Sequence, residues 1–300
     1  MATDSISQPT GIKFTTQYPN LRLHSRGANG DTPCDRLLRA NDRPGVKIFF
    51  KKEEKPNLYR HIPEFELSIA IHKALPEFTP RIYRTVEQDG KTIGQIMRRV
   101  DGITLAEAIG TCLLPDGIEL QIKDAMSRLH SSGFVYNDLS VWNTLLEADC
   151  EGRTHVFLID FGLSDKSTDL RLLKGDADNL KAIANLIAMC RQRHCDVDNT
   201  REAIYKGLSK AKEDVHGRHT VPGRYIDADD AFLTVRRELK RGGKARESFE
   251  RLMKLSSRRL YDLLIILLRL EASKLQRGFS YRPTKIAGDL LEYWTQRIYR

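Results

Sequence analysis

Apolar and polar residues repeat with two different periods along this chain, and the change from one to the other falls near residue 101. Before it, short β-branched and aromatic runs predict strands: GVKIFF at 45–50, bounded by Pro44-Gly45 and by charges, RIYRTVEQ at 81–88 and GQIMRRV at 94–100, with Asp89-Gly90 as the turn between the last two. One helix is set among them. In PEFELSIAIHKAL at 63–75, residues Phe65, Leu67, Ile69, Ala70, Ile71, Ala74 and Leu75 recur at helical spacing and make a broad apolar face. After residue 101 the helical period takes over, in TLAEAI and then in IELQIKDAMSRLH at 118–130, where Ile118, Ile122, Ala125, Met126 and Leu129 share a side. That helix is expected to stop at Ser131-Ser132-Gly133, since glycine suits the residue after a helix end. The fold class predicted is α+β: a flexible lead-in at 1–20 rich in Ser, Thr, Gln and Pro, a small sheet-rich lobe with one helix at 21–100, and a larger helical lobe at 101–300. No internal repeat is present.

Charge adds a direction. The 49 basic residues exceed the 40 acidic ones to give +9, which favours anionic partners. The excess is concentrated in RRELKRGGKARESFERLMKLSSRR at 236–259, part of a helical extension at about 190–300, and this segment is a candidate surface for RNA, acidic lipid or an acidic protein. The competing reading is a solvated amphipathic helix pair around Gly242-Gly243, with Phe249, Leu252, Met253 and Leu255 packed inward. No interleaved aromatic platform supports sequence reading of nucleic acid.

Cys34, Cys112, Cys150, Cys190 and Cys195 form an odd, scattered set, which argues against a disulfide framework and for a reducing compartment. The spacing of Cys190, His194 and Cys195 matches no common zinc pattern, so reduced structural thiols are expected. The first residues lack the apolar run of a signal peptide, and the longest apolar stretch, LYDLLIILLRLEASKL at 260–275, is cut short by Arg269. It reads as a buried helix. The expected location is cytoplasmic, with delivery into a host cell by a signal-independent route left open.

The chemistry concentrates in LHSSGFVYNDLSVWNTLLEADCEGRTHVFLIDFGLSD at 129–165. Asp138 is followed five residues later by Asn143, then by an apolar run, a charged turn, and a second apolar run, VFLID, that delivers Asp160 ahead of Phe161 and Gly162. Phosphoryl transfer needs a positioned nucleophile and neutralised phosphate charge, and two carboxylates with one amide suffice for that. Asp138 suits the role of accepting or orienting the acceptor's proton, while Asn143 and Asp160 offer hard oxygens suited to Mg²⁺. A hairpin joining the two runs would bring all three to a single edge.

These residues resemble the protein-kinase superfamily, whose catalytic loop reads H-R-D-L-x-x-x-N and whose metal-binding motif reads D-F-G. The first becomes Tyr136-Asn137-Asp138-Leu139-Ser140-Val141-Trp142-Asn143 here. The resemblance implies a bilobal kinase-like fold, ATP and Mg²⁺ as cofactors, and a protein or small-molecule hydroxyl as acceptor. Asn137 replaces an Arg that in many kinases pairs with a phosphorylated loop, and Ser140 stands where Ser/Thr kinases usually carry Lys. The resemblance also implies a strand Lys for the α/β-phosphates and a helix Glu that holds it. Lys47 fits the first, with Lys51 as rival; Glu66, about fourteen residues before Pro80, fits the second, with Glu64 as alternative. Gly27 and Gly30 lie where a phosphate-covering loop would be, and IMRRVDG at 96–102, Met97 included, where strand and linker would meet the adenine.

No A-P-E motif follows Asp160; KSTDLRLLKGDADNLKAIANLIAMC comes almost at once, and Asp178, or else Asp176, takes the place of the Asp that opens a kinase's central helix. This economy is similar to the small atypical kinases typified by the kinase subunit of the KEOPS tRNA-modification complex, more loosely to RIO kinases, and to bacterial effector kinases. The implied function is an atypical serine/threonine protein kinase. The alternatives are a kinase-fold ATPase or small-molecule kinase, and a catalytically weak scaffold that binds partners through its basic C-terminal region.

Overall fold

The structure is a computed structural model that describes residues 21–26, 35–40, 47–52, 64–88, 91–218, 228–275 and 283–298. The lead-in at 1–20, the turn at Asp89-Gly90, and Gly27 and Gly30 lie outside these residues. In chain order the elements are β1 (Leu21–Arg26), β2 (Asp35–Ala40), β3 (Lys47–Lys52), α1 (Glu64–Ala74), β4 (Ile82–Gln88), β5 (Lys91–Arg98), the short β6 (Ile103–Thr104), α2 (Leu105–Gly110), α3 (Ile118–Ser131) and β7 (Phe134–Val135). There follow β8 (Thr144–Ala148), β9 (Thr154–Leu158), β10 (Asp165–Lys166), α4 (Leu170–Gln192), α5 (His194–Arg218), α6 (Ala228–Lys240), α7 (Gly243–Leu252), α8 (Ser257–Lys274) and α9 (Pro283–Ile298). The fold class is α+β, with strands gathered early and helices late.

Contacts gather into two compact units, Met1–Gly102 with Leu120–Ala177, and Ile103–Glu119 with Asp178–Arg300. The sequence draws its boundary near residue 100, whereas residues 120–177 group with the segment before them. Hydrogen bonds explain this: the Leu158 N–H donates to the Phe78 carbonyl at 2.7 Å, and Glu147 receives both Arg98 and the Asp101 N–H.

In the first unit, an antiparallel sheet runs in the order β1-β2-β3-β5-β4, and α1, which buries Phe65, Leu67 and Ile71, packs against β4 and β5. The strands and helix thus follow the two periods read from the sequence. α3 buries Ile122, Ala125, Met126 and Leu129 and ends where predicted: Gly133 adopts φ 80° and its N–H donates to the His130 carbonyl at 2.9 Å. β8 and β9 form an antiparallel hairpin with Thr144 opposite Leu158 and Ala148 opposite Thr154. Its turn is closed by the Asp149 carboxylate, which accepts the N–H groups of Glu151 and Arg153, each at 2.9 Å.

The second unit is helical apart from β6. A reciprocal capping box opens α2, with Thr104 Oγ1 accepting the Glu107 N–H at 3.1 Å and the Glu107 carboxylate accepting the Thr104 N–H at 2.6 Å. The expected buried helix is α8, whose Leu260, Leu263, Leu264, Ile266, Leu267 and Leu268 are buried while Arg269 is exposed. Among the described residues no helix is long and apolar enough to cross a membrane. Gly242 (φ 90°) and Gly243 (φ 69°) break the chain between α6 and α7, and Phe249 and Leu252 are buried, Phe249 with its ring 5.1 Å from that of Trp294. Met253 and Leu255 are half-buried. Within the basic segment, Arg241 pairs with Glu238, Arg246 with Glu250, and Arg251 with Asp196. Cys190 is buried, its Sγ 3.2 Å from the Ile109 carbonyl oxygen, whereas Cys195 is exposed. Among the described residues no group of three or more His, Cys, Asp or Glu side chains is placed to hold a metal ion.

Candidate active site

The β8–β9 hairpin brings distant sequence positions to one edge. Asn143 immediately precedes β8, Asp160 comes two residues after the end of β9, and the pairing of Thr144 with Leu158 makes them emerge at the same end. The Ile159 N–H donates to the Asn143 carbonyl at 3.0 Å, which extends the ladder to the residue beside Asp160. Within the loop before β8, Asn143 Nδ2 donates to Asp138 Oδ2 at 2.7 Å and to the Asp138 carbonyl at 3.2 Å. Ser140 shapes that loop: its Oγ accepts the Asn143 N–H at 3.2 Å and its carbonyl accepts the Thr144 hydroxyl at 2.9 Å. Where the resemblance leads one to look for a lysine, this chain has a turn-forming hydroxyl.

Asp160 is in the left-handed region, φ 62° and ψ 73°, and its Oδ1 accepts the Gly162 N–H at 3.3 Å. An aspartate tolerates that conformation better than most residues because its short side chain bonds locally. Phe161 turns inward, its ring 5.4 Å from that of Tyr136. On the other side of the motif lies Glu64: a Cβ built on Gly162 would stand 3.6 Å from Glu64 Oε2 and 3.0 Å from Asp160 Oδ1. Glu64 is buried at 9% exposure, whereas Glu66 faces solvent. Counting back from Pro80 selects Glu66, but the helix turns it away. Glu64 shares its line along α1 with Ser68, Ile71 and Leu75, all buried, at spacings of four, seven and eleven residues.

Asp176 holds the start of the loop that carries Asp138. Its side chain, 1% exposed, accepts the Tyr136 N–H at 2.8 Å and the Asn137 N–H at 2.9 Å, and lies 2.9 Å from His130 Nε2. Asp178, the first choice from the sequence, is exposed. Phase along α4 distinguishes them, because Asp176 lies seven and fourteen residues before the buried Ile183 and Cys190. Asn137, at φ 61°, donates its side-chain amide to the Leu163 carbonyl at 3.1 Å, and Ser164 Oγ donates to the Tyr136 carbonyl at 3.1 Å. Two loops separated in sequence are thereby stitched together.

Tyr136 is wholly buried, and its hydroxyl donates to the carbonyls of Ile159 and Asn143. Burial pushes its phenol well above the usual range, and the charges of Asp160, Asp138 and Asp176 push it the same way, against the opposing effect of the Ile159 bond. A phenol held protonated remains a donor.

Other predicted positions divide by what the structure describes. Lys47 opens β3 opposite Arg39, and Lys51 lies in the same strand opposite Asp35 on one side and Gln95 on the other; their side chains are outside the described set. Met97 sits in β5 opposite Phe49 and Ile82. The residues that follow it form the linker to Gly102.

With its Nδ2 committed to Asp138, Asn143 keeps Oδ1 as a neutral hard oxygen, and Asp160 adds a carboxylate, so the pair suits Mg²⁺ better than a softer metal.

No protein-family model matches the chain. Over 160 residues it is 29% identical to a curated protein of Methanosarcina acetivorans described as a probable bifunctional tRNA threonylcarbamoyladenosine biosynthesis protein. That match covers 48% of this chain and 26% of the other, so the chain spans about a quarter of the length of the curated relative it matches. Among solved structures, the kinase of Cydia pomonella granulovirus is similar over 56% of this chain and 68% of its own, at 19% identity and a TM-score of 0.44.

Proposed function

We propose that this chain is an ATP- and Mg²⁺-dependent phosphotransferase that passes the γ-phosphate to a hydroxyl, as an atypical serine/threonine protein kinase. The observation that carries the reading is the convergence of Asp138, Asn143 and Asp160 at one end of the β8–β9 hairpin, with the Asn143 amide on the Asp138 carboxylate at 2.7 Å. Bound Mg²⁺ would supply neutralisation of phosphate charge, held by Asn143 and Asp160. Asp138 orients the acceptor hydroxyl and takes its proton, while its bond to Asn143 keeps the carboxylate aimed. Glu64 holds the strand lysine, Lys47 or Lys51, against the phosphates, and Asp176 fixes the backbone from which Asp138 projects.

A second reading, ATP hydrolysis or transfer to a small molecule in support of tRNA modification, is favoured by the short segment after the Asp160-Phe161-Gly162 motif. Residues 163–169 are all that precede α4, which leaves little platform for a peptide. The Methanosarcina protein's description points the same way.

Incubation with γ-labelled ATP and Mg²⁺ separates the readings. Label on a generic protein or on the chain itself supports the first, and label released only as free phosphate supports the second. Nucleotide left intact in every arm defeats transfer to protein and ATP hydrolysis alike.

A further inference from the structure

Within the second unit, two thiols distant in sequence meet at the end of α2. The Ile109 carbonyl, in the last turn of that helix, accepts the Cys190 thiol from α4 at 3.2 Å, the Cys112 thiol at 3.8 Å and the Cys112 N–H at 3.2 Å. Neither cysteine is in a disulfide, and Cys112 is half-buried whereas Cys190 is wholly buried. Cys112 stands at φ 54°, a left-handed conformation uncommon outside glycine, and such a backbone persists only where its surroundings over-determine it. They do so here. Arg201 of α5 donates to the Gly110 carbonyl at 2.7 Å, and a Cβ on Gly110 would fall 2.2 Å from Leu270 Cδ1 of α8. The chain leading into Cys112 is therefore held fixed beside Cys190.

The two sulfurs differ in character. A side-chain hydrogen bond with Cys190 holds the Cys112 thiol below its usual range, against the opposing effects of burial and the Asp198 charge and with some help from Arg201. The same bond, together with burial, pushes the Cys190 thiol up. Oxidants attack the more acidic and accessible thiol first, which leaves the buried neighbour to complete the reaction.

We propose that Cys112 and Cys190 form a redox modification site, a dithiol that a hydroperoxide converts to a disulfide and a thiol reductant restores. The Cys112 sulfur attacks one oxygen of hydrogen peroxide, the O–O bond breaks, and the sulfur becomes a sulfenic acid while the departing hydroxide takes the Cys112 proton and leaves as water. The Cys190 sulfur then attacks the Cys112 sulfur, the S–O bond breaks, and the hydroxyl leaves with the Cys190 proton as a second water. The two sulfurs give up two electrons and the peroxide takes them. The new bond ties the end of α2 to α4, and it is independent of the phosphotransferase reading.

The competing partner for Cys112 is Cys195, which is exposed, with its Sγ 3.3 Å from Nε2 of His194, the residue whose carbonyl lies 3.8 Å from Cys112 Sγ. The test treats the full chain, reduced and freed of reductant, with one equivalent of hydrogen peroxide, then alkylates it in denaturant and digests it for mass spectrometry without reduction. The free-thiol count should fall from five to three, and a peptide pair joined through Cys112 and Cys190 should appear that dithiothreitol separates. Cys190→Ala should let the Cys112 sulfenic acid accumulate, where dimedone traps it, and Cys195→Ser should leave the link intact. Absence of the link in wild type, whether both thiols are recovered alkylated or Cys112 joins Cys195 instead, overturns the proposal. Wild type alone decides this, so the outcome stands even if Cys190→Ala fails to fold.

Discussion

The side-chain amide of Asn143 sits on the carboxylate of Asp138 at 2.7 Å, and that one hydrogen bond fixes what both residues have left to offer. In the proposed reaction Asn143 would turn its carbonyl oxygen to a cation and Asp138 its carboxylate to the acceptor hydroxyl. Removing either group breaks a pair of roles. Asp138→Asn and Asn143→Ala should each lower phosphotransfer by about 100-fold or more, in line with loss of a general base or a charge-stabilising group. Both residues are only half-buried, so thermal unfolding should shift little. A time course of labelled product beside a melting curve tells loss of chemistry from loss of fold.

Asp176 predicts a stability effect. Asp176→Ala leaves the N–H groups of Tyr136 and Asn137 without their acceptor, at a cost of about 1–3 kcal/mol for each donor that stays out of reach of water. Urea unfolding should show that loss, with Asp176→Asn recovering part of it through one remaining carbonyl oxygen. Activity should fall in both, because the backbone that aims Asp138 is loosened. Unchanged unfolding in Asp176→Ala would mean the loop is held by other contacts.

The two α1 glutamates give a paired comparison. Glu64→Gln should weaken binding of an ATP analogue several-fold, since Glu64 is the acid beside the Asp160-Phe161-Gly162 turn. Glu66→Gln should leave affinity unaltered, since its side chain faces solvent. The opposite ranking would return the role to Glu66.

Much of this was legible before any coordinates. The two periods separate strands from helices because side-chain burial in a sheet and on a helix face imposes them directly, and Asp138, Asn143 and Asp160 are close enough in sequence for one hairpin to gather them. Glu64 and Asp176 were harder. Each competes with an acid two residues away, and only the phase of the surrounding buried positions, Ser68 and Ile71 for one and Ile183 and Cys190 for the other, shows which turns inward. Glu147 gave no signal of its own: its partners, Arg98 and Asp101, lie more than forty residues earlier, and nothing local marks a strand carboxylate as a clamp. Ser140 reads in the sequence as a missing lysine, and its positive role, capping the Asn143 N–H, exists only in the folded turn.

A pH effect is expected in the second unit. Lys240 and Arg236, hydrogen-bonded to the Tyr293 phenol, bring it from its usual 10.0 down to about 8. Because the folded value lies below the unfolded one, the phenolate adds stability that is fully present above the unfolded value and is lost as pH falls through the folded one. Relative to Tyr293→Phe, wild type should therefore gain stability between about pH 8 and 10. Phenolate absorbance should show a step near pH 8 that the variant lacks; identical titrations would contradict the assignment.

If Asp160 and Asn143 hold Mg²⁺ against a nucleotide, titration of an ATP analogue into wild type and Asp160→Ala, with and without Mg²⁺, will show it. Binding by wild type should depend on Mg²⁺, and binding by Asp160→Ala should be weaker and indifferent to Mg²⁺. Equal, Mg²⁺-responsive binding by both proteins would contradict it.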